Sequence, residues 1–515
     1  MGLLSFLIFW PVIAATFILL WPGDRGRGFG IMAAVASAVE LVAALWLWFG
    51  FQPGAGFQFV EKLSWVPRFG ISYSLGIDGI SLLLVILTAL LTIIAVVSSL
   101  VSITNGRRGY YACLLLLETG VIGAFCATDV FLFYVFWEAM LIPMYFLIGV
   151  WGGERRIYAT VKFVLYTMAG SLLMLVGILW VYQFGASHGG GTFDLFAWYR
   201  YAIPAHAQVW LFAAFALAFA IKVPMFPFHT WLPDAHVQAP AAGSVMLAGV
   251  LLKLGTYGFM RFAIPLFPDG FAQLADVVLI LAVIGIVYGA AMTLIQTDIK
   301  SLIAYSSVSH LGFVMLGLAT LNLIGASGSL LQQINHGIST GALFLLVGMI
   351  YDRRHTRQIG DYGGIFAVVP VFTIIFLIVA FSSVGLPGTN GFVGEFLILL
   401  GAFQSHPWLA AISTTAVILA AGYMLWLVRR VFFGPVTKKE NEGIRDLDRR
   451  ELAVLIPLIA LIIWIGVYPK PFLSRIEPDL KVWVQKSRTS RLTENPADKD
   501  RTALDAASVP GEMTR

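Results

Sequence analysis

Six side chains that can gain or lose a proton lie deep inside otherwise apolar stretches of the sequence. They are Glu138, Lys222, Lys253, His310, His336 and Glu395. A charge at the centre of a membrane helix costs about 2.5 to 3.5 kcal/mol, so a protein rarely keeps several without partners or a use. Burial favours the neutral forms of lysine and glutamate, and free histidine already titrates close to neutral pH. The six residues therefore predict a path along which protons are exchanged.

The six residues are predicted to share one layer of the membrane. Measured from the start of its apolar stretch, Glu138 is nine residues deep, Lys222 fifteen, Lys253 twelve and His310 eleven. At 1.5 Å per residue these depths are roughly 13 to 23 Å, and the other two residues fall close to the same level. Hydroxyl groups beside His310 could hold water between the sites, although serines also pack helix interfaces.

Taken one at a time, most of these residues also allow a purely structural interpretation. Glu138 and Lys222 could form a buried ion pair that only holds helices together. His310 and His336 could be hydrogen-bonded core histidines, an interpretation that we favour for His336 taken alone. Lys253 is the hardest to explain in this way, because its own apolar stretch contains no acidic partner.

Four further charged residues are predicted to be less central. Glu118 lies deep enough to be a second acidic site, ranked below Glu138. Lys162 is expected to extend its ammonium group to the membrane surface, while Asp298 and Lys300 occupy an interfacial turn.

The elements that must position these residues are membrane-spanning helices, in an all-α, multi-pass fold. Hydrophobic residues make up 59% of the 515 residues and charged residues 12%, far from the averages of soluble proteins. A hydrocarbon core about 30 Å thick needs roughly 20 apolar residues per helix. Windows of that length predict about fourteen helices, near 2–22, 30–50, 78–103, 110–127, 129–150, 160–184, 207–229, 241–262, 272–296, 299–320, 328–350, 366–402, 407–433 and 451–468.

Arginines and lysines cluster in alternate loops and predict an orientation. The clusters follow helices one, three, five, eleven and thirteen, so these loops are expected on the cytoplasmic side and both termini on the outer side. Arg25 and Arg27 follow the first apolar stretch rather than precede it, which indicates a spanning helix rather than a signal peptide. The basic segment after Tyr468 then falls outside, but long polar tails weigh little in orientation.

The six ionisable residues named first are called the row. Two predicted helices are interrupted beside members of this row. Pro224 and Pro227 follow Lys222 in helix seven, and Pro387 with several glycines precedes Glu395 in helix twelve. Proline removes a backbone donor and clashes with the preceding turn, so both helices are expected to be discontinuous. Paired interruptions in two halves of a membrane protein are typical of an inverted repeat with its site at the breaks.

This pattern divides the chain into five segments. Residues 1–109 would hold helices one to three, 110–262 the first five-helix repeat, and 272–433 the second, inverted repeat. Residues 451–484 would hold the last helix and the start of the tail. The remainder, 485–515, lacks apolar periodicity and is predicted to be disordered or bound to a partner.

Several classes of site are not supported by the sequence. Cys113 and Cys126 are 13 residues apart in apolar sequence, which fits neither zinc nor iron–sulfur spacing. The glycines at 189–191 lie in a polar loop, and there is neither a Walker loop nor a dinucleotide fingerprint. We expect no cofactor, metal or nucleic acid on this chain.

Four stretches resemble a known family. They are FLFYVFWEAMLIPMYFLIGVWGGERR, KVPMFPFHTWLPDAHVQAPAAGSVMLAGVLLKLGTYG, IKSLIAYSSVSHLGFVMLG and GLPGTNGFVGEF. They resemble the antiporter-like subunits of proton-pumping NADH:quinone oxidoreductase (respiratory complex I), with the closest likeness to the branch called chain M or chain 4. Glu395 favours that branch, because the sister chains L and N carry lysine there.

The resemblance implies a fourteen-helix subunit of a membrane arm, with two inverted five-helix repeats and no redox centre of its own. It implies that Glu138 and Lys222 act as a coupled ion pair and that Lys253 is the central proton carrier. His310, with His336 as a lesser candidate, would bridge to Glu395 as the terminal site. Quinone, NADH, FMN and iron–sulfur clusters would belong to partner subunits, and the contacts of this chain would be sister antiporter-like chains, lipid and protons. A bacterial inner membrane, or an equivalent energy-conserving membrane, would hold it.

Three rival functions remain open at this point. Chains of multi-chain sodium/proton antiporters look similar through the same stretches. A structural membrane scaffold would tolerate leucine at Lys253 and Glu395 without loss of proton flux. A free-standing solute transporter would need a cluster of polar residues at the breaks, where this sequence offers one charge each.

Overall fold

The computed structural model describes residues 2–492, and the chain is almost entirely helical over this range. The first helices are α1 (Leu3–Leu20), α2 (Gly28–Gly50), α3 (Leu82–Ser102), α4 (Arg107–Cys126), α5 (Val130–Ala139), α6 (Leu141–Trp151), α7 (Arg156–Ser187), α8 (Leu195–Trp198), α9 (Ala205–Lys222) and α10 (Trp231–Gln238). They are followed by α11 (Ala241–Met246), α12 (Leu252–Gly258), α13 (Ile264–Leu266), α14 (Pro268–Leu294), α15 (Ile299–Ala319) and α16 (Leu323–Arg354). The last are α17 (Pro370–Val384), α18 (Asn390–Ser405), α19 (Pro407–Phe432), α20 (Arg449–Val467) and α21 (Lys470–Leu492).

Shorter elements complete the chain. Two π-helical segments, Leu247–Leu251 and Phe259–Ala263, flank α12 within one continuous stretch. Two antiparallel strands, β1 (Gln58–Val66) and β2 (Ile71–Ile77), form a hairpin between α2 and α3. Single 3₁₀ turns occupy Pro67–Phe69, Ile359–Asp361, Ile365–Ala367 and Lys439–Asn441.

Thirteen helical stretches of the described chain are long and apolar enough to cross a membrane. The expected twelfth helix is instead divided into α17 and α18, separated by residues 385–389. The expected seventh helix ends at Lys222, and the chain resumes helical structure only at Trp231. Both predicted interruptions are therefore confirmed, and each lies directly beside a member of the row.

Polar caps set the start of several of these helices. Asp129 accepts hydrogen bonds from two backbone amides at the start of α5, and Asp298 accepts one at the start of α15. Asn322 does the same for α16, and Asp448 with Glu451 forms a reciprocal capping box on α20. Since the first amides of a helix have no partner within it, these side chains explain why the helices begin at these residues.

Burial separates a central group of helices from a peripheral group. The most apolar windows of α15, α16 and the stretch from α11 to α13 are 94%, 89% and 100% buried, against 39% for α1, α2 and α7. The peripheral helices expose many large apolar side chains, such as Trp46, Val176 and Trp210. The helices that carry Lys253, His310 and His336 are therefore enclosed by protein rather than by lipid.

Two elements were not predicted from the sequence. The β hairpin lies between the second and third predicted helices, where the sequence predicts no element. The helix α21 runs through Gln485 to Leu492, so of the two predicted states of the tail, disordered or bound to a partner, residues 485–492 are not disordered. It is held by the Trp483 indole, which donates to the Met260 carbonyl at 2.6 Å, and by Asp479, which accepts from the Gly79 amide at 2.7 Å. The rest of that predicted tail, residues 493–515, lies outside the described residues.

A glycine contact brings α18 against α16. A Cβ atom at Gly328 would lie 2.7 Å from the Ile398 amide nitrogen and 3.0 Å from the Gly394 carbonyl oxygen. We expect Gly328→Ala to destabilise this contact by about 1 to 3 kcal/mol, since the backbone atoms cannot move away freely. The thermal unfolding temperature of the chain within its purified assembly should fall. Gly360→Ala is the matched control because that glycine is exposed and has no atom within 4 Å of the new Cβ; equal unfolding temperatures for the two variants would contradict the prediction.

Candidate functional site

Lys253 is the most enclosed charged residue of the predicted row. It lies on α12 between the two π-helical segments, and its side chain is fully buried. Its ammonium group donates to the Ala248 carbonyl oxygen within the first π segment and hydrogen-bonds His336 Nδ1 at 2.7 Å. π segments inside α-helices are rare and occur mostly at functional sites. Because α12 contains no acidic residue, the hydrogen-bond partner of Lys253 is a histidine from another helix.

Close backbone approach makes the Lys253 contact possible. A Cβ atom at Gly337 would lie 2.9 Å from the Gly249 carbonyl oxygen, so α16 and the first π segment pack with almost no side chain between them. Gly249 is also covered by Leu91 of α3. Because both positions are glycine, His336 on α16 reaches Lys253 directly.

His336 also faces His310, the next member of the row. The two imidazole centroids are 5.9 Å apart in an edge-to-face arrangement. A small cavity of about 10 Å³ adjoins both rings and is lined further by Ser339, Ser382 and Ser383. A polar cavity of this size holds about one water molecule. His336 Nε2 is buried and has no hydrogen-bond partner in the part of the chain that the structure describes, so it is available to such a water.

His310 connects to Glu395 through a direct hydrogen bond. His310 Nδ1 lies 2.7 Å from Glu395 Oε1, and its Nε2 lies 3.3 Å from the Ser383 hydroxyl. The Gln332 amide donates to the same Glu395 oxygen at 3.0 Å. Both His310 and Glu395 are more than nine-tenths buried. The carboxylate is therefore held by two side chains from two different helices.

The second helix break is joined to α16 by amide and hydroxyl side chains. Asn335 donates to the Asn390 carbonyl at 2.7 Å, and the Ser382 hydroxyl donates to Asn390 Oδ1 at 2.5 Å. Ser339 hydrogen-bonds Ser382 at 2.6 Å. These bonds join α16, α17 and the start of α18, and they fix α18, with Glu395, relative to His336.

Glu138 and Lys222, predicted to form an ion pair, are not in hydrogen-bonding contact. The Lys222 ammonium group is buried, has no hydrogen-bond partner among the described residues, and lies 5.1 Å from the centroid of the Trp137 ring. Glu138 is only half-buried, at the end of α5. It is close enough to act on Lys222 electrostatically. The Trp137 ring therefore adds a cation–π contact to the field of the carboxylate.

Two further basic residues are buried beside the first break, and one of them lies near Lys253. His236, just after the first break, is fully buried, stacks on Phe344 at 4.5 Å, and lies within electrostatic range of Lys253 and Lys300. Lys300, expected at an interfacial turn, is buried in the protein and donates to the Ala239 carbonyl at 2.5 Å. The motif HTWLPDAH, with two histidines inside an interrupted membrane helix, was the available signal for His236.

Lys300 also lines a cavity on the side of the arginine-rich loops. Asp352 and Arg357 line the same cavity. Lys162, expected to extend to the surface, forms a partly exposed ion pair with Asp234 at 2.8 Å. Charged groups therefore continue from this side of the protein toward the buried row.

The arrangement supports proton exchange along one line. Lys253, His336, His310 and Glu395 are joined by two direct hydrogen bonds and one histidine–histidine contact beside a water-sized polar cavity. Each of the four groups can hold or release a proton, and hydrogen bonds of 2.7 Å are short enough for transfer.

Comparisons with known proteins cover the same residues. The family described as NADH:quinone oxidoreductase/Mrp antiporter, TM matches residues 127–420. NADH-quinone oxidoreductase subunit M of Rhodobacter capsulatus is 45% identical over 503 residues, covering 94% of this chain and 96% of that protein. A chain of respiratory complex I from Thermus thermophilus with bound NADH superposes with a TM-score of 0.86 at 33% identity, covering 94% of this chain and 99% of that chain.

A second solved structure shares the fold alone. A chain of the Mrp complex from Dietzia sp. DQ12-45-1b superposes with a TM-score of 0.81 at 21% identity, covering 94% of this chain and 98% of that chain. The family match spans every residue of the row, from Glu138 to Glu395. The resemblance found in the sequence is therefore confirmed, and the chain belongs to the family of NADH:quinone oxidoreductase and Mrp antiporter membrane subunits.

Proposed function

We propose that this chain is a proton-translocating subunit in the membrane arm of an NADH:quinone oxidoreductase, with no redox centre of its own. The observation that carries the proposal is the contact line from Lys253 through His336 and His310 to Glu395. Quinone reduction in partner subunits, which would hold NADH, FMN, iron–sulfur clusters and quinone, would supply the energy. The membrane would be a bacterial inner membrane or an equivalent energy-conserving membrane, with both termini on the outer side.

The switch of the path is proposed to be Lys222. When Glu138 moves away or is neutralised, the uncompensated charge of Lys222 acts on Lys253 and drives its proton toward His336. Two charges about 10 Å apart interact by about 1.7 kcal/mol at an effective dielectric of 20. That interaction changes proton affinity by more than about tenfold, enough to switch a site poised near neutrality.

The surroundings of Glu138 suit a coupling residue. It is half-buried, and the neighbouring α6 and α7 expose apolar side chains such as Ile142 and Leu165, at 62% and 63%. A sister chain or lipid would cover this face in the assembly. A charge at such a boundary can respond to a neighbouring subunit while still acting on Lys222.

Proton supply to Lys253 is proposed to come from the side of the arginine-rich loops. The cavity lined by Lys300 and Asp352 opens there, and His236 lies within electrostatic range of both Lys300 and Lys253. Glu395 at the other end of the line would pass protons outward.

The runner-up is a subunit of a multi-chain sodium/proton antiporter. The fold likeness to the Mrp complex and the shared family description favour it specifically. The higher identity to subunit M of Rhodobacter capsulatus favours the quinone-linked function.

Affinity purification through a tag on this chain separates the two functions. We expect NADH-oxidising subunits and NADH:quinone reductase activity to copurify with the tagged chain from mildly solubilised membranes, and neither to be recovered from an untagged strain. Recovery with sodium/proton antiporter chains and without NADH oxidation would overturn the proposal in favour of the runner-up.

A further inference from the structure

A second buried acidic site lies among the N-terminal helices, apart from the row. Glu40 of α2 is 1% exposed and Glu118 of α4 is 0% exposed. Within residues 2–492, none of their four carboxyl oxygens has a hydrogen-bond partner. An ionised carboxylate without partners is strongly disfavoured in an apolar interior. The proposed translocation path does not use either residue.

The two glutamates are placed at the same depth on helices that touch. Both α2 and α4 begin beside the arginine-rich loops, and Glu40 lies twelve residues into α2 while Glu118 lies eleven into α4. At 1.5 Å per residue these depths are roughly 18 and 16 Å. A Cβ atom at Gly30 would lie 2.7 Å from the Tyr111 hydroxyl, so the face of α2 that carries Gly30 meets α4.

A third polar group without a partner lies at the same face. Ser37 is fully buried, its hydroxyl has no hydrogen-bond partner among the described residues, and it lies one helical turn before Glu40. Residues three apart share a helix face, so Ser37 lies on the face of α2 that carries Glu40. A serine hydroxyl without a hydrogen-bond partner beside two such carboxyl groups indicates a binding site. Its hydrogen bonds are completed by a bound proton or another ligand.

Helices α1 and α3, which pack against both α2 and α4, offer no cation to neutralise the carboxylates. Helices α1 and α3 contain no titratable residue, and Glu40 is the only one in α2. Thr92 of α3 lies next to Glu118, but its hydroxyl hydrogen is already donated to the Thr88 carbonyl at 2.9 Å. The lone pairs of the Thr92 oxygen can accept a hydrogen bond from a protonated carboxyl group. The hydroxyl has no second hydrogen to donate to an ionised carboxylate.

Other titratable groups lie on the remaining elements packed against α4 or on α4 itself. They are Tyr73 of β2, Arg107, Arg108, Tyr110, Tyr111, Cys113 and Cys126 of α4, Tyr134 and Glu138 of α5, Tyr145 of α6, and Lys253 and Tyr257 of α12. The two arginines are at the start of α4, at least ten residues before Glu118. The glycines of α4 at 120 and 123 face Met140 and Phe136, so α5 and α6 pack on another side of the helix.

We propose that Glu40 and Glu118 form a carboxyl pair that binds an exchangeable proton inside the N-terminal helices, separate from the line between Lys253 and Glu395. A proton shared between the two groups joins one oxygen of Glu40 to one oxygen of Glu118 and removes one charge from the apolar interior. The Ser37 hydroxyl can donate to one of the remaining carboxyl oxygens.

Infrared difference spectroscopy of the purified membrane assembly tests the site without requiring turnover, so its outcome is independent of the proposed translocation. The variants are Glu40→Gln, Glu118→Gln, their combination and Ser37→Ala, with exposed Glu154→Gln as the control. At neutral pH we expect a protonated-carboxyl band in the difference between wild type and double variant, shifted in ²H₂O. Each single variant should keep the band at a changed frequency, because the remaining glutamate is still buried. Ser37→Ala should also change the frequency, and Glu154→Gln should not.

Three results would overturn the proposal. The first is a double variant that retains the wild-type band, and the second is a wild-type band that appears only at acidic pH. The third is a band that sodium ions abolish, which would identify a cation site instead. If the double variant does not assemble, the single variants decide, since unchanged spectra in both would contradict a shared proton.

Discussion

Replacing Lys253 by alanine is expected to leave the complex assembled but to lower proton-coupled quinone reduction roughly a hundredfold, the scale of a lost proton-transfer group. Lys253 is fully buried and is hydrogen-bonded to His336 and to a backbone carbonyl. Without the Lys253 side chain, His336 has no neighbouring group of the row on the Lys253 side that can deliver a proton to it. The rate of NADH-dependent quinone reduction in membrane vesicles measures the effect.

Two further variants keep the Lys253 experiment interpretable. Lys253→Met retains most of the side-chain volume without the charge, so it should be as inactive as the alanine variant if protonation matters rather than packing. Lys439→Ala, on an exposed loop, should keep wild-type activity. If the assembled Lys253→Met complex reduces quinone at the wild-type rate, Lys253 is not required for proton transfer.

The second large loss of coupled quinone reduction is expected from a substitution of His336. His336→Leu should lower coupled quinone reduction by roughly tenfold, less than the change at Lys253 because water in the adjoining cavity can partly replace the ring. The sequence alone favoured a core histidine at this position, whereas the structure places its Nδ1 2.7 Å from Lys253. Quinone-reduction rates measured as a function of pH provide the readout.

A glutamine at the same position separates a proton carrier from a structural residue. His336→Gln can keep a hydrogen bond to Lys253 but cannot be protonated near neutral pH, so it should remain impaired and lose part of the pH dependence. His206→Leu, at an exposed position, is the control and should behave like wild type. If His336→Gln has the wild-type rate and pH profile of quinone reduction, the role of His336 is structural only.

The apolar helices that carry the charged residues and the two helix breaks could be predicted from sequence. Hydropathy locates apolar stretches, and Pro224, Pro227 and Pro387 act through local backbone chemistry that does not depend on distant residues. The relative rotation of helices could not be predicted in this way. The contact of Lys253 with His336 depends on close packing at Gly249 and Gly337, which are 88 positions apart in the chain.

The missed elements have a similar explanation. The β hairpin and α21 lie outside the apolar windows and carry no hydropathy signal of a spanning helix. Lys300 was expected at an interfacial turn and His236 carried no sequence signal of burial, yet both are enclosed by protein. The resemblance implied an ion pair of Glu138 and Lys222. The contact of Lys222 with the Trp137 ring depends on packing and was not predicted.

The proton yield of the His336→Leu complex tests the central claim most directly. Purified complex in sealed vesicles would be supplied with NADH, and the protons moved per NADH oxidised would be compared with wild type at matched membrane leak. If the line from Lys253 to Glu395 carries protons, yield and coupled rate both fall while assembly is unchanged. A full proton yield at the wild-type rate would contradict the account.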